Sequence, residues 1–179
     1  HYHNQYDDKW DGEPELLALE RHLAESSDAA IAVSRSVQEH VAERLAIDAS
    51  RIDIVPNGVA ANEYQFADRA EARRQLGIKE GARLFGLVGR ICHQKGQDIF
   101  VEVAIKTAAE MPDAEFLMIG DIEDEKLHRR LSQRILKVGL VERIRFTGHR
   151  SDMALVYSAL DCVVAPSRWE GFGLMLIEA

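Results

Sequence analysis

The chain has 179 residues, 46 % of them hydrophobic, a formal net charge of −8 and two cysteines. That length is ample for one core and short for two complete domains, and the acidic balance argues against nucleic acid, which requires concentrated positive surface. The cysteines stand far apart in apolar contexts and suit a reducing cytoplasm rather than a disulfide framework. No secretory signal or apolar run of spanning length is present.

His1 to Asp11 has no period and reads as a loop. From Glu13 to Glu25, Leu16, Leu19 and Leu23, with Leu17 beside them, form the apolar face of an amphipathic helix. Glu20 and Arg21 fall on its wet side, and Pro14 sits in the first turn. Asp28–Val33 is a short strand, and Ser34 caps a helix through Leu45 with Val37, Val41 and Leu45 four apart. Arg51–Val55 is a strand ended by Pro56-Asn57-Gly58, and Val59 to Asp68 is the expected inter-domain linker. A regular alternation follows: helix Arg69–Leu76, strand Leu84–Val88, helix Gln97–Glu110 and strand Glu115–Ile119. Helix Glu125–Val138, strand Arg143–Thr147, helix Asp152–Leu160 and strand Asp161–Ala165 complete it. Strands alternating with helices through short loops predict an α/β fold with a doubly wound parallel sheet, Rossmann-like.

The final stretch holds the densest chemistry. Cys162–Ala165 reads as a buried strand that Pro166 ends, Ser167 to Gly171 is a polar loop, and a helix resumes at Leu174. Such a junction places backbone N–H groups and a helix's positive end at the carboxyl edge of a sheet, where anions bind. Glu170 in the loop and Glu178 along the helix bracket it. Their spacing allows one carboxylate at each end of an extended ligand. A molecule with phosphates in the middle and hydroxyls at both ends fits that pattern, and a nucleotide-sugar is one.

The loop Gly89-Arg90-Ile91-Cys92-His93-Gln94-Lys95-Gly96 follows the second region's first strand and falls on the same rim. Arg90 can fork onto phosphate oxygens, Lys95 supplies a point charge, and the flanking glycines let the backbone come close. The spacing matches neither a Walker A loop nor G-x-G-x-x-G. A solvated basic loop is the competing reading.

Glu170 to Glu178, set in Pro-Ser-x-x-Glu-Gly-Phe-Gly, resembles the paired-glutamate signature of retaining glycosyltransferases of the GT-B fold, most like family 4 (glycosyl transferases group 1). Gly89-Arg90 and Lys95-Gly96 resemble that family's basic element for the donor diphosphate. Asp28 to Ser34 is similar to the end of its amino-terminal domain, and Ile54-Val-Pro-Asn-Gly-Val59 to its crossover. Phe146-Thr-Gly-His-Arg150 is similar to the border of its base pocket. The resemblance implies residues 1–58 as the carboxyl-terminal part of the amino-terminal (acceptor) domain and crossover. It implies residues 59–179 as the nucleotide-sugar (donor) domain, truncated at its end. The whole reads as a fragment, expected to be inactive and poorly stable alone.

The implied activity is retaining transfer of a hexose from a nucleotide diphosphate sugar to an acceptor, with no obligatory cofactor or metal. In that implied site Arg90 and Lys95 neutralise the leaving diphosphate, helped by backbone N–H groups at Phe172, Gly173 and Leu174, with Gly89 and Gly171 allowing close approach. Glu170 accepts hydrogen bonds from the sugar, Glu178 from the ribose, and His149 and Arg150 flank the base. His3 resembles a histidine near the transferred sugar in some members; a surface histidine is the other reading. The acceptor is a saccharide, a lipid or a small molecule. Contact with the inner membrane face through sequence outside this chain stays open.

Three other classes share parts of this pattern. Glu170 as a glycosidase-like nucleophile fits less well beside Arg90 and Lys95. A nucleotide-sugar 2-epimerase shares the fold and the donor, and a non-catalytic nucleotide-sugar binding module is a third reading. His22, His40, His93 and His128 read as surface residues and Cys162 as core. Cys92 lacks a partner that would make it a nucleophile, and Ser34 and Ser167 lack the Gly-x-Ser-x-Gly elbow. Trp169 stacks on a sugar or packs the loop.

Overall fold

The computed structural model describes residues 14–60 and 66–179. His3, the loop expected over His1–Asp11 and positions 61–65 of the expected linker lie outside the described residues. The chain divides into two compact units, residues 1–58 with Trp169–Leu174, and residues 59–168 with Met175–Ala179.

In the first unit, helix α1 (Pro14–Ser26) leads to strand β1 (Ala30–Ala32), helix α2 (Arg35–Leu45), a 3-10 turn at Ala49–Arg51 and strand β2 (Ile52–Ile54). The two strands are parallel, with Ala30 opposite Ile52. Ser34, in extended backbone, accepts a hydrogen bond from the Val37 N–H at 3.2 Å and so starts α2. Val37, Val41 and Leu45 are fully buried, as their spacing predicts. The Gln38 Nε2 donates to the Ile52 carbonyl at 2.6 Å, tying α2 to β2.

Helix α1 uses a different face from the expected one. Leu19 and Leu23 are about half exposed, whereas Ala24 is buried and Leu17 packs on the core of the unit. Leu17, Arg21 and Ala24 recur at four and three, an equally good stripe. What favours it is Arg21, whose Nε donates at 2.7 Å to the Leu45 carbonyl, an acceptor the end of α2 would otherwise leave open.

The second unit is a doubly wound sheet. Its elements are α3 (Arg69–Gln75), β3 (Arg83–Val88), α4 (Gln97–Glu110), β4 (Ala114–Ile119), α5 (Glu125–Lys137), β5 (Ile144–Gly148), α6 (Met153–Ala159), β6 (Cys162–Val163) and α7 (Leu174–Glu178), the last beginning in the segment grouped with the first unit. Strand order is β5-β4-β3-β6, all parallel. Strand β4 is buried at every position. Its alternate side chains supply two cores. Phe116 and Met118 meet Phe100, Val101, Leu127 and Leu131 of α4 and α5 on one face. Leu117 and Ile119 meet Ala72 and Val156 of α3 and α6 on the other.

Strand β6 is shorter than expected, and its Cys162 is exposed rather than core. It lies at the edge of the described sheet with β3 as its one partner, so only one side of it is covered. Hydrogen bonds from Asp161 N–H to the Leu84 carbonyl (2.9 Å) and from Val164 N–H to the Gly86 carbonyl (2.8 Å) hold it there. The chain runs from β3 outward through β4 to β5, then returns to place β6 on the other flank of β3. That reversal is the switch point at which open parallel sheets bind ligands, beyond the carboxyl ends of the strands.

Candidate functional site

The carboxyl rim of the second unit's sheet is built from the backbone outward. Beyond the strands, the chains after β3 and β4 continue side by side. The Gly89 N–H donates to the Ile119 carbonyl at 2.8 Å and the Ile91 N–H to the Asp121 carbonyl at 2.7 Å, while the Ile91 carbonyl accepts from Glu123 and Asp124. Gly120 has φ +150°, and a Cβ there would lie 2.3 Å from the Gly89 carbonyl oxygen, so the close approach requires glycine. The second half of the Gly89–Gly96 loop is a 3-10 turn over His93–Lys95. Gly96, at φ +70°, ends it, and a Cβ on Gly96 would meet the Pro166 carbonyl oxygen at 2.3 Å. The loop after β3 and the loop after β6 therefore touch at the switch point.

Side chains fix these loops. Gln97 is completely buried; its Nε2 donates to the Arg90 carbonyl at 2.7 Å and its Oε1 accepts from the Cys92 N–H at 3.3 Å. Arg168 forks onto the Asp98 carboxylate at 2.9 and 2.7 Å and donates to the His93 carbonyl at 2.8 Å, while its own N–H donates to the Gln94 carbonyl at 2.8 Å. The Arg168 guanidinium holds the Asp98 carboxyl below its usual range, against the burial that would raise it.

Among the residues singled out from the sequence, Lys95 lays its aliphatic stem over Gly89, its Cδ 3.1 Å from where a Cβ on that glycine would stand. The Arg90 guanidinium is exposed and ion-paired with Glu123 from the loop after β4. His149, just beyond β5, is exposed, with Nδ1 3.1 Å from the Asp121 carboxylate. Arg150 turns to Asp152 instead, at 2.9 and 2.5 Å, and lowers that carboxyl's pKa. Glu178 accepts a 2.7 Å hydrogen bond from the hydroxyl of buried Tyr157 on α6. Trp169 to Leu174 belong with the first unit, where Phe172 packs on its core, Gly171 and Gly173 are buried, and Gly173 takes φ +78°. Cys92 is buried, as its apolar setting suggests.

Gln97, Asp98, Arg168 and Tyr157 were not singled out from the sequence. Gln97 did leave a signal. It shares the α4 stripe with Val101, Ala104 and Ala108, all buried, and a polar side chain on such a stripe must find partners inside. Among the described residues, no group of three or more His, Cys, Asp or Glu side chains could hold a metal ion, and no helix is long and apolar enough to cross a membrane. The first unit has a separate cleft of about 230 Å³, lined by Ser27, Asp28, Ser50, Arg51 and Asp53 among others.

The family profile of glycosyl transferases group 1 matches residues 68–179, well over half of the chain. The chain belongs to that family. Residues 1–63 match a second profile, glycosyltransferase family 4. Among relatives of this group 1 glycosyltransferase chain is the lipopolysaccharide core biosynthesis mannosyltransferase LpsB of Rhizobium meliloti, 36 % identical over 129 residues, which are 70 % of this chain and 37 % of LpsB. The D-inositol 3-phosphate glycosyltransferase of Segniliparus rotundus is 30 % identical over 166 residues, 91 % of this chain and 37 % of that protein. The crystal structure of Anabaena HepE in complex with UDP and glucose superposes with a TM-score of 0.85 at 26 % identity, covering 93 % of this chain and 46 % of HepE. The doubly wound unit is thus the Rossmann-like fold of GT-B glycosyltransferases. The group 1 chain spans little more than a third of the length, 37 %, of the curated relatives it matches.

Proposed function

We propose that this protein transfers a hexose from a nucleoside diphosphate sugar to an acceptor with retention of configuration. Residues 59–179 form the donor domain in this reading, and residues 1–58 belong to the acceptor domain and crossover. The observation that carries the proposal is the pinned loop at the switch point, which presents Arg90 and Lys95 beyond the end of β3 in a family of glycosyltransferases. As the bond between the sugar and the diphosphate breaks, negative charge grows on the leaving phosphate. Two fixed cations stabilise that charge most when it is fully developed. Arg90 exchanges its single contact with Glu123 for the phosphate, which can accept the guanidinium fork at two oxygens and carries more charge. Lys95 acts as a point charge, and the N–H groups of Phe172, Gly173 and Leu174 add donors.

Glu170 accepts hydrogen bonds from the sugar hydroxyls. Glu178, with one carboxylate oxygen held by Tyr157, accepts from the ribose. Gly89 and Gly171 let the backbone approach, His149 borders the base, and Arg150 and His3 complete the set carried over from the family resemblance. With two basic side chains meeting the diphosphate, no resident metal is needed. The HepE complexes contain UDP with glucose and UDP-glucose, which makes a uridine donor the first to try. The acceptor is a saccharide, a lipid or a small molecule, and the reaction belongs in the cytoplasm, at the inner membrane face if the acceptor is a lipid.

The test is turnover by the full-length protein, offered nucleoside diphosphate sugars and candidate acceptors with and without a chelator. Release of nucleoside diphosphate, a glycosylated product with the donor's anomeric configuration, and indifference to chelation are expected. Conversion of the donor to its 2-epimer would replace this reading with an epimerase.

A further inference from the structure

The described residues bury two polar side chains, Gln97 and Glu115. Glu115, near the amino end of β4, accepts from the Lys79 N–H at 3.2 Å and from Arg145 at 3.1 Å. Gln97 stands at the other end of the sheet, in the first turn of α4, with none of its surface open to solvent. Its amide bridges two main-chain groups on either side of Ile91, the Arg90 carbonyl at 2.7 Å and the Cys92 N–H at 3.3 Å. Ile91 itself is held by the chain after β4 through its N–H and its carbonyl, and pairs with Ile122 as a parallel bridge. The Cys92 carbonyl accepts from the Lys95 N–H at 3.2 Å, which closes the 3-10 turn. Between the strand-like pairing, the 3-10 turn and Gln97, the main-chain polar groups from the Arg90 carbonyl to the Cys92 carbonyl are held.

We propose that Gln97 is a positioning residue for the donor loop. It touches no substrate, but it sets the backbone from which the Arg90 and Lys95 side chains reach the diphosphate, so that the loop does not have to be ordered at the moment of binding. The inference rests on the donor reading of this loop. An apolar side chain of the same length would leave a buried acceptor and a buried donor without partners, and the loop would relieve them by moving toward solvent.

The experiment measures UDP binding to the full-length protein carrying Gln97→Met, with Glu115→Gln as the control for lost buried polarity at the far end of the sheet. Both substitutions are expected to lower the melting temperature. Only Gln97→Met is expected to weaken UDP, by roughly tenfold, with faster amide exchange confined to residues 90–96. Gln97→Leu, which also removes both hydrogen bonds without introducing a charge, is the second variant and should weaken UDP to a similar extent. Equal UDP affinity in wild type and in either folded Gln97 variant would overturn the inference. An equal loss in Glu115→Gln would also overturn it, because the effect would then be general destabilisation. No UDP, GDP or ADP binding by the wild type would remove the donor reading and this inference together.

Discussion

At the amino edge of the four-stranded sheet, Arg143 donates to the carbonyls of Ala108, Met111 and Ala114 at 2.6 to 3.0 Å, and Arg83 forks onto Asp113 at 2.8 Å. Asp161 receives the Leu84 N–H at 2.7 Å together with Arg73 and Arg69; burial raises its pKa, but these partners outweigh it and the net shift is downward. At the carboxyl edge, Arg90 meets one exposed carboxylate and Lys95 lies over a glycine. Here Gln97 and Arg168 hold the loop backbone. Arginines thus do different work at the two edges. At the amino edge Arg143, Arg83 and Arg73 all serve the fold, and at the carboxyl edge Arg168 serves it while Arg90 pairs with a single exposed carboxylate. A switch-point loop whose backbone is tied by Gln97 and Arg168, with Arg90 on an exposed and exchangeable ion pair, suits the anion site proposed for it.

The comparison breaks if amino-edge substitutions disturb ligand binding. Arg143→Met keeps the aliphatic stem and removes donors from three carbonyls. It should cost about 3 kcal/mol of folding stability in a denaturant titration, with UDP affinity in the folded protein unchanged. A loss of affinity there would mean the two edges are not independent.

A smaller effect sharpens the carboxyl edge. Arg168→Gln should lower stability by about 1 kcal/mol at neutral pH, since both partners are partly exposed and screened. Asp98 has a depressed pKa in the folded protein, so the stability it contributes is complete above its unfolded value, about 4, and is lost as pH falls through the lower folded value. The gap between wild type and Arg168→Gln should stay constant from about pH 5 to 8 and shrink below about pH 4. A gap that persists in acid would show that Arg168 acts through the His93 carbonyl alone.

Much of this was legible in advance, for identifiable reasons. Strands β3 to β5 and helices α3 to α6 announce themselves through apolar runs, caps and terminal glycines, because those signals are local. Gly77 and Gly139 end their helices at φ +63° and +72°. The face of α1 was not legible, since Leu16-Leu17 and Leu19, Leu23 and Ala24 support two stripes and Arg21's partner, Leu45, is 24 residues away. The exposure of Cys162 depends on how many strands flank β6, which an apolar run does not state. In the candidate site, Arg90 and Lys95 could be read from charge beside glycine. The groups that hold their loop could not, because Gln97, Asp98 and Arg168 look like ordinary polar residues until the loops after β3 and β6 are folded together.

The most direct measurement is calorimetric titration of UDP, GDP and ADP into the full-length protein and into its Lys95→Ala and Glu178→Ala variants. The account predicts selective binding of one nucleotide. Each substitution should weaken it by roughly ten- to a hundredfold, about 1.4 to 2.8 kcal/mol, with the melting temperature little changed in Lys95→Ala and modestly lowered in Glu178→Ala, which loses the bond from Tyr157. A folded wild-type protein that binds none of the three, or variants that bind as well as the wild type, would contradict it.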